Sequence, residues 1–593
     1  MEEWGFCVDD FMKQTKTSLK QRTIFVFVLV SFVLLGLVIR LGNLMFEKAD
    51  YYGERAKEVQ QRQRKIKAQR GVIYDRNGLI IAGNKPVSTI SVIHNQIEEP
   101  EKVISALTEI LDLPEADVRK RVEKLSSIEK VKTNVDKETS DKIRNLNLAG
   151  VMVDEDYKRY YPYNELASKV IGFTGGDNQG IIGLEVKYDE YLQGKDGNIL
   201  TMTNVRGEEI EGEAEERIEP VAGCSLYTSL DVNIQTFAQQ AAWKVMKAKN
   251  AKSVRVIMMN PQNGEIYAMV NVPEFDLNDP YSLNTKTKET LSEKEKTDAL
   301  NQMWRNPCVS DTYEPGSTFK VITSTAALEK GVVKVEDTFH CPGYKIVEDR
   351  RIRCHKTTGH GSETFAQGVQ NSCNPVFMEV GARLGVDGMF EYLKKLKIME
   401  RTGIDVPGEA ATIMHQKENV KAVELATISF GQSFQLSPIR LLSTISMIIN
   451  GGREITPHFG VNIESSDKTA VKKLEYNMQD QIVSEQTSEL MQGLLESVVS
   501  EGSGKKAFVE GYQVGAKTGT SEKLPRSSNK YIASCMGFAP ADNPVVAALV
   551  LIDEPEGIYY GGTIAAPVIS ELLDDALPYL GIERGEIVTP VPG

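Results

Sequence analysis

The sequence predicts an α+β fold in which an antiparallel sheet is flanked by helices. Two strand-like runs, 254–260 and 265–270, are joined by Gln262-Asn263-Gly264, which is typical of a β-hairpin. Helical periodicity follows, and three more strand-like runs with turns between them come near the end, at 512–520, 531–538 and 545–552. Strands before and after a block of helices, joined by short turns, indicate one antiparallel sheet covered by helices.

Length and composition set limits on the function. A chain of 593 residues with 41% hydrophobic and 25% charged residues is long enough for three or four domains with sizeable cores. The net charge of -13 argues against a general nucleic-acid binder, so no nucleic acid is expected as a partner. The seven cysteines include no C-x-x-C pair, and the six histidines include no H-E-x-x-H motif. Neither a disulfide scaffold nor a metal site is therefore predicted, and no cofactor is implied.

The first 46 residues predict a membrane anchor. An apolar run covers 23–39 and ends at Arg40, and 41–46 extend it while Arg40 reaches towards the interface. A cleaved signal peptide is the alternative, but its apolar region is usually shorter and no A-x-A site follows. Four Lys or Arg residues lie on each side of the run, so the charges do not decide its orientation. The bulk of the chain is placed outside because long domains cross regardless of such charges.

The next segment predicts a separate domain of mixed structure. Residues 47–70 are strongly charged and are interpreted as a solvated stalk. Two apolar strands flank Asn77-Gly78, a strong hairpin signal, and 100–150 predict small helices with a strand or two. The expected domains are a cytoplasmic tail, an anchor, a pedestal-type domain, a catalytic domain and a C-terminal tail, at 1–22, 23–46, 47–222, 223–585 and 586–593.

The catalytic region is organised around Ser317. Pro315-Gly316 interrupt the chain, and the apolar periodicity that follows predicts a helix ending near Gly331. Ser317 then lies in the first turn with Lys320 one turn on, on the same face. A serine becomes a nucleophile when a base takes its proton, and a lysine of lowered pKa can be that base. The same Ser-x-x-Lys spacing recurs at Ser127, Ser465, Ser503 and Ser527, so the motif alone is not specific.

Two later motifs make the Ser317 copy distinctive. Ser372-Cys373-Asn374 comes first, before a helix that is expected to run to about Gly385, and the only K-T-G triplet, Lys517-Thr518-Gly519, comes next and is followed by Thr520. The order S-x-x-K, S-x-N, K-T-G is the signature of penicillin-recognising serine enzymes.

Each motif has a chemical role in such enzymes. Ser372 and Asn374 can relay a proton to the leaving amine and hold the substrate amide. Lys517 and Thr518 can bind a carboxylate and help to lower the pKa of Lys320, while Gly519 lets an extended peptide lie along the strand. The backbone N–H groups of Ser317 and Thr520 would form an oxyanion hole.

With these motifs, nearly the whole chain resembles a class B penicillin-binding protein of the division or stage V sporulation protein D type. The resemblance implies an N-terminal anchor, an elongated pedestal domain and a penicillin-binding transpeptidase domain. Asn164 stands where relatives often have glycine, and Cys373 fills a variable position. The other segments that carry the resemblance are Arg70-Gly71, Arg159-Tyr160-Tyr161-Pro162, 180–185, Gly359-His360-Gly361, Ser429-Phe430-Gly431-Gln432, Gly561-Gly562 and Ala565-Ala566-Pro567.

The resemblance implies a peptidoglycan D,D-transpeptidase in the cell membrane with its catalytic domain outside. Ser317 would displace the terminal D-alanine of a pentapeptide stem, and the amine of a neighbouring stem would attack the acyl-enzyme. β-Lactam antibiotics would acylate the same serine. Since nothing resembles a glycosyltransferase domain, a membrane polymerase is expected as partner. The alternatives are a D,D-carboxypeptidase, a β-lactamase, and a non-enzymatic scaffold or antibiotic sensor.

Two further features remain open at this stage. Cys341 and Cys354 bracket the segment 342–353, which is interpreted as a hairpin beside the active site. In an exported domain the two cysteines could form a disulfide or stay as two free thiols. The arrangement is similar to that of the sporulation type, and this resemblance implies a redox-sensitive cysteine pair near the site. His360 is interpreted as structural because the serine–lysine chemistry leaves no role for it.

Overall fold

The computed structural model describes residues 3–52, 61–126, 128–202, 216–284, 291–476, 478 and 480–585. The chain forms two compact units. The first consists of Met1–Lys67, Val87–Asp156 and Asp196–Glu219, and the second of Ala68–Pro86, Tyr157–Lys195 and Pro220–Gly593. The predicted C-terminal tail at 586–593 lies outside the described residues.

The chain begins with a long apolar helix, as the hydropathy predicts. The helix covers Glu3–Gly42 and continues as one π-helical turn, Asn43–Glu47. Within it, Leu19–Glu47 has a mean hydropathy of 2.9 over its most apolar window, and none of that window is buried. Its 29 residues are long and apolar enough to cross a membrane.

The remainder of the first unit is a small α/β core and a separate ribbon. Three amphipathic helices, Pro100–Leu111, Glu115–Val122 and Lys137–Asn145, pack their apolar residues with the strand Glu129–Val135. The small helices and strand predicted for 100–150 are thus confirmed. The charged segment interpreted as a stalk contains the strand Gln61–Ile66, which forms a three-stranded antiparallel sheet with Gly197–Met202 and Glu216–Ile218. Composition missed this strand because backbone pairing with distant residues, not apolar burial, defines it.

The second unit contains the predicted antiparallel sheet. Its five strands are β1 (Ser253–Met259), β2 (Ile266–Val272), β3 (Gly515–Glu522), β4 (Tyr531–Ala539) and β5 (Val546–Asp553). Their order across the sheet is β2-β1-β5-β4-β3, so the early hairpin pairs with the late meander. All five strands are antiparallel to their neighbours. The last strand of the meander, β5, pairs with β1 of the hairpin, so β3 lies at one edge of the sheet.

Helices cover both faces of this sheet, which explains why its strands are almost continuously apolar. Val254, Val256 and Met258 of β1 join one buried cluster, whereas Ile257 and Met259 join the other. The helices α1 (Val232–Ala248) and α2 (Ala566–Tyr579) pack on the first face. The second face is covered by the helices that carry the site and by two more, Pro438–Ile449 and Glu485–Ser500.

The turns and helix ends agree with the sequence signals. Gly78 and Gly264 have φ values of 82° and 85° at the tips of the two predicted hairpins. The helix Asn374–Lys395 contains a non-helical residue, Gly385, at the point where the sequence predicts its end. The remaining α-helices and strands of the described residues are Ile73–Tyr74, Ile80–Val92, Val151–Tyr160, Ser168–Ile171, Gly183–Lys187, Asp189–Leu192, Ser225–Thr228, Glu293–Trp304, Pro307–Ser310, Thr338–Cys341, Tyr344–Val347, Arg350–Arg353, Gly361–Thr364, Phe365–Gln370, Ala422–Ile428, Gly460–Glu464, Val471–Lys473 and Gly561–Ile564.

A buried cluster of charged side chains in the second unit joins three of the segments that carry the family resemblance. The Glu185 carboxylate accepts hydrogen bonds of 2.7 Å from Nε of Arg70 and from Nε of Arg159. The side chains of Glu185 and Arg70 are fully buried, and that of Arg159 is nearly so. Arg70 also pairs with Asp189 at 2.7 Å. One carboxylate therefore fixes the relative positions of two guanidinium groups that are 89 residues apart in the sequence.

Replacing Glu185 with alanine is expected to destabilise the second unit strongly. Two buried guanidinium groups would lose their main counter-charge, and breaking a buried ion pair costs about 3–5 kcal/mol. Urea unfolding followed by tryptophan fluorescence measures the change. Glu571→Ala, which removes the exposed partner of Lys244, is the matched control and is expected to leave the transition unmoved. Equal stability of the two variants would contradict the structural role of the cluster.

Candidate active site

Ser317 lies in a tight turn just before a helix. Gly316–Phe319 form one turn of 3-10 helix, which leads directly into α3 (Lys320–Glu329). Gly316 has a φ of 57°, and its N–H donates to the carbonyl of Gly431 at 2.8 Å. The predicted helix start is confirmed, with a 3-10 turn as its first part. Ser317 is half-buried, and its hydroxyl makes no hydrogen bond within the part of the chain that the structure describes.

Lys320 extends from the first turn of α3 towards the Ser372 loop. Its fully buried amine donates at 2.7 Å to the carbonyl of Ser372 and at 2.7 Å to Oδ1 of Asn374. Oγ of Ser372 lies 3.2 Å away. A neutral amine has two N–H groups, which these two strong acceptors occupy, so its lone pair remains available for a hydroxyl proton. The contacts therefore orient Lys320 as a base.

The Ser372 loop precedes the helix α4 (Asn374–Lys395). Ser372 adopts a positive φ of 52°, a conformation that is costly outside glycine and is often found at active sites. Its Oγ accepts a 2.9 Å hydrogen bond from Nζ of Lys517. Asn374 is held by a 3.1 Å hydrogen bond from its Nδ2 to the carbonyl of Arg353. The serine hydroxyl is therefore placed between two lysine amines.

Strand β3 carries the K-T-G motif along the same cleft. Lys517 is fully buried, Thr518 is nearly so, and the outer edge of β3 pairs with no other described strand. A Cβ at Gly519 would lie 3.1 Å from Cγ2 of Thr318 and 2.6 Å from Oγ of Ser534, so only glycine allows the strand to approach the Ser317 turn. Oγ1 of Thr520 accepts a 3.1 Å hydrogen bond from the N–H of Gly561. An open edge beside the serine suits an extended peptide.

Burial lowers the pKa of both lysines. The pKa of Lys320 falls to about 8, chiefly by burial, against opposing effects of Cys373, Cys354 and Glu363. The pKa of Lys517 lies well below its usual value, first because of burial and second because of the nearby charge of Lys320. The K-T-G motif predicted that the charge of Lys517 would depress the pKa of Lys320. In the structure, desolvation is the main cause of the lowered pKa of Lys320. The charge effect between the two lysines instead contributes to the lowered pKa of Lys517.

The structure brings together every residue predicted for the catalytic and binding positions. These residues are Ser317, Lys320, Ser372, Asn374, Lys517, Thr518, Gly519 and Thr520. Their chemical roles remain predictions. Of the other Ser-x-x-Lys copies, Ser127 lies outside the described residues, and Ser465, Ser503 and Ser527 make no described hydrogen bond to this cluster. The geometry can support attack by a serine, proton transfer through a lysine and a second serine, and binding of an anionic group.

The structure also shows residues that the sequence analysis did not assign to the site. The carbonyl of Gly431 holds the Ser317 turn, and a Cβ at Gly431 would lie only 2.0 Å from the carbonyl oxygen of Gly316. Glu314 accepts from the N–H of Ser433 at 2.9 Å and from Arg526 at 3.1 Å. The Ser429–Gln432 motif was an available signal for Gly431, whereas nothing in the sequence indicated the Glu314 contacts.

The cysteines near the site lie together in a way that the sequence did not predict. Cys341 and Cys354 are free thiols in the structure, which is one of the two states left open by the sequence. The disulfide between them stays a prediction. The two thiols lie with Cys373 and His360 in one cluster, whose potential ligand atoms are all within 4.8 Å of one another. The expectation of no metal site rested on the absence of paired spacing. It missed this cluster because four separated positions converge only in the folded chain.

Comparison with known proteins gives two family matches. A model for the penicillin binding protein transpeptidase domain matches residues 254–574, more than half of the chain. A model for the penicillin-binding protein dimerisation domain matches residues 65–228.

The relatives agree with these matches. Stage V sporulation protein D of Bacillus subtilis is 38% identical over 96% of this chain and 88% of that protein. A probable peptidoglycan D,D-transpeptidase, PenA, of Neisseria meningitidis is 29% identical over 98% and 96% of the two chains. The crystal structure of penicillin binding protein 2X from Streptococcus thermophilus has a TM-score of 0.71 at 21% identity, covering 89% of this chain and 82% of that chain, and shows the shared fold.

The chain belongs to the penicillin-binding protein transpeptidase family. Within the family it is a class B member, because a dimerisation domain and an N-terminal apolar helix precede the transpeptidase domain.

Gly431→Ala is expected to slow acylation of Ser317 by about 100-fold, because the added Cβ would push the Ser317 turn out of position. Stopped-flow reaction with a chromogenic cephalosporin measures the rate. Gly493→Ala is the control, because a Cβ at Gly493 meets nothing within 4 Å on the helix Glu485–Ser500. An acylation rate of Gly431→Ala equal to that of the control would show that the turn tolerates the displacement.

The acylation rate is expected to rise with pH through a midpoint near 8, because Lys320 must be neutral to accept a proton and its pKa is lowered to about 8. The charged and titratable groups that face it are Lys517, Glu363, Cys354 and Cys373. Single-turnover acylation between about pH 6 and about pH 9 measures the profile. A rate that is constant or falls over this range would exclude a lysine base of this pKa.

Proposed function

We propose that the chain is a peptidoglycan D,D-transpeptidase that cross-links stem peptides through an acyl-enzyme on Ser317. The observation that carries the proposal is the pair of buried amines on either side of the Ser372 hydroxyl, with the half-buried Ser317 one turn before Lys320. Family membership supports the substrate class, since relatives are named as peptidoglycan D,D-transpeptidases.

The first step is attack of Oγ of Ser317 on the carbonyl carbon of the penultimate D-alanine. Lys320 in its neutral form, which burial favours, takes the serine proton as the carbon–oxygen bond forms. The negative charge on the carbonyl oxygen is stabilised by the backbone N–H groups of Ser317 and Thr520. The C–N bond to the terminal D-alanine then breaks.

The proton reaches the leaving amine through Ser372. Its Oγ is 3.2 Å from Nζ of Lys320 and 2.9 Å from Nζ of Lys517, so it can receive a proton on one side and release one into the cleft. Asn374 holds the substrate amide and keeps Lys320 oriented through its Oδ1. In the second step the acceptor amine of another stem attacks the ester, and the same groups return the proton to Ser317.

The substrate's carboxylate is bound by Lys517 and Thr518. The stem peptide is expected to add to the open edge of β3, where the small residue Gly519 lets its backbone approach. A β-lactam presents a carboxylate and a strained amide at a similar separation, so the same contacts direct it onto Ser317.

The N-terminal helix is proposed to anchor the protein in the cell membrane with the catalytic domain outside. The apolar segment Leu19–Glu47 supports an anchor, and stem peptides are the substrate of the exported domain. The proposed domains remain the anchor at 23–46, the pedestal at 47–222 and the transpeptidase domain at 223–585. A membrane glycosyltransferase would supply the glycan strands.

Ser317→Ala is expected to abolish covalent labelling by a fluorescent penicillin, because no other hydroxyl replaces the nucleophile. Gel fluorescence of the full-length protein in detergent measures the labelling. Ser527→Ala is the matched control, since it removes the exposed serine of another Ser-x-x-Lys copy and is expected to label normally. Labelling that survives Ser317→Ala would contradict the assigned nucleophile.

The acceptor is tested with the same proteins. Wild type is incubated with lipid-linked donor stems together with acceptor stems, and the products are separated by mass. Cross-linked dimers that disappear in Ser317→Ala support the transpeptidase. Release of D-alanine without dimers, at saturating acceptor, would instead make the chain a D,D-carboxypeptidase.

A further inference from the structure

We propose that Cys341, Cys354, His360 and Cys373 form a zinc site directly behind the Ser372 loop. Their potential ligand atoms all lie within 4.8 Å of one another. The three cysteines are buried, with relative exposures of 1%, 2% and 0%, and the His360 side chain is 7% exposed. Three thiols and one imidazole at this separation are a complete set of ligands for a tetrahedral structural zinc ion.

The backbone brings these residues together from both sides of a small β structure. The strand Thr338–Cys341 pairs with Gly361–Thr364, so Cys341 lies opposite Gly361, and the N–H of His360 donates to the carbonyl of Cys341 at 3.1 Å. The N–H of Cys354 donates to the carbonyl of Gly343 at 2.8 Å. Cys373 completes the set from the start of α4. The positions are thus fixed by main-chain contacts and do not depend on flexible side chains.

The distances agree with a site that needs little contraction to bind a metal. In a tetrahedral zinc site with thiolate and imidazole ligands, neighbouring ligand atoms are about 3.5–3.8 Å apart. Nδ1 of His360 is 3.7 Å from Sγ of Cys354. The largest separation, below 4.8 Å, needs a shift of about one ångström, which side-chain rotation can supply.

A buried carboxylate beside the histidine has no partner for one of its oxygens. Oε1 of Glu363 is buried, makes no hydrogen bond, and lies 3.8 Å from Nδ1 of His360. Oε2 of Glu363 accepts from Asn371 at 3.0 Å. Nδ1 is also the ring nitrogen that lies 3.7 Å from Sγ of Cys354, so Glu363 does not orient the ring through a separate N–H. Glu363 is therefore a buried charged neighbour of the cluster and is not assigned a role in holding the metal.

A bound zinc ion would use more of the four clustered side chains than a disulfide would. Any single disulfide joins two of the three cysteines and leaves a buried thiol and a histidine beside it without a role. Zinc uses all four groups. Binding releases three protons from the thiols, and the resulting centre carries a net charge of minus one. It lies next to the Ser372 loop, which contacts the amines of Lys320 and Lys517.

The site would hold the active-site loop in place. Cys373 lies between Ser372 and Asn374, which are the two residues that contact Nζ of Lys320. Asn374 already bonds to the carbonyl of Arg353, next to Cys354. A metal that joins Cys354 to Cys373 would reinforce this contact and stabilise the positive φ of Ser372. This consequence rests on the proposed function, whereas metal binding itself does not.

The test is the metal content of the full-length protein, purified in detergent under reducing conditions without added chelator. Plasma mass spectrometry is expected to find about one zinc per chain. An organomercurial is expected to release this zinc as it forms S–Hg bonds with the three thiolates. His360→Ala and Cys373→Ser are expected to lose most of the zinc. Cys308→Ala, which removes a buried cysteine outside the cluster, is the matched control and is expected to retain it.

Cobalt substitution keeps the test decisive if the variants fail to fold. Wild-type protein stripped of metal and loaded with Co²⁺ is expected to show the thiolate charge-transfer and d–d bands of a tetrahedral site. Metal-free protein that takes up neither zinc nor cobalt overturns the proposal, as does a disulfide found between these cysteines by mass spectrometry of the freshly purified protein. Penicillin labelling is measured in parallel, so loss of the metal site and loss of the acyl-enzyme are told apart.

Discussion

The burial of two lysine amines around one serine hydroxyl is the constraint on which the rest of this site depends. Lys320 and Lys517 are both fully buried, and both contact Oγ of Ser372. Two ammonium groups at such a distance repel each other, and burial removes the water that would screen them. The site therefore favours a state in which at least one amine is neutral, which is the state that a base requires.

The surrounding structure supplies the fixed contacts that this arrangement needs. The Ser317 turn is held through Gly431, the Ser372 loop through Lys320 and Arg353, and β3 through the close approach allowed by Gly519. These contacts come from distant parts of the chain, so the nucleophile, the base and the binding strand reach their positions only when the whole sheet has formed. The antiparallel order β2-β1-β5-β4-β3 places the K-T-G strand at the edge beside the turn.

The cysteine cluster also depends on contacts between distant parts of the chain. It includes Cys373, the residue between Ser372 and Asn374. Cys373 in the middle of the S-x-N motif is a small, fully buried side chain between the two residues that accept hydrogen bonds from Lys320. Its neighbours Cys341, Cys354 and His360 turn this position into a point at which a metal ion can connect the β structure to the start of α4. The proposed zinc site would replace part of the packing that the active-site loop otherwise needs.

The sequence by itself determined the fold class, the apolar N-terminal helix, and the identity of the candidate site residues from Ser317 to Thr520, because hydrophobic periodicity, turn residues and ordered motifs are local signals. Gln262-Asn263-Gly264 and Pro315-Gly316 indicated their turns from neighbouring residues alone. Only the tertiary structure decided what depends on distance through space. It placed Gly431 against the Ser317 turn, made burial the main cause of the lowered pKa of Lys320, and brought four separated cysteine and histidine side chains together. Burial and convergence arise from packing between segments far apart in the chain, and no local spacing records them.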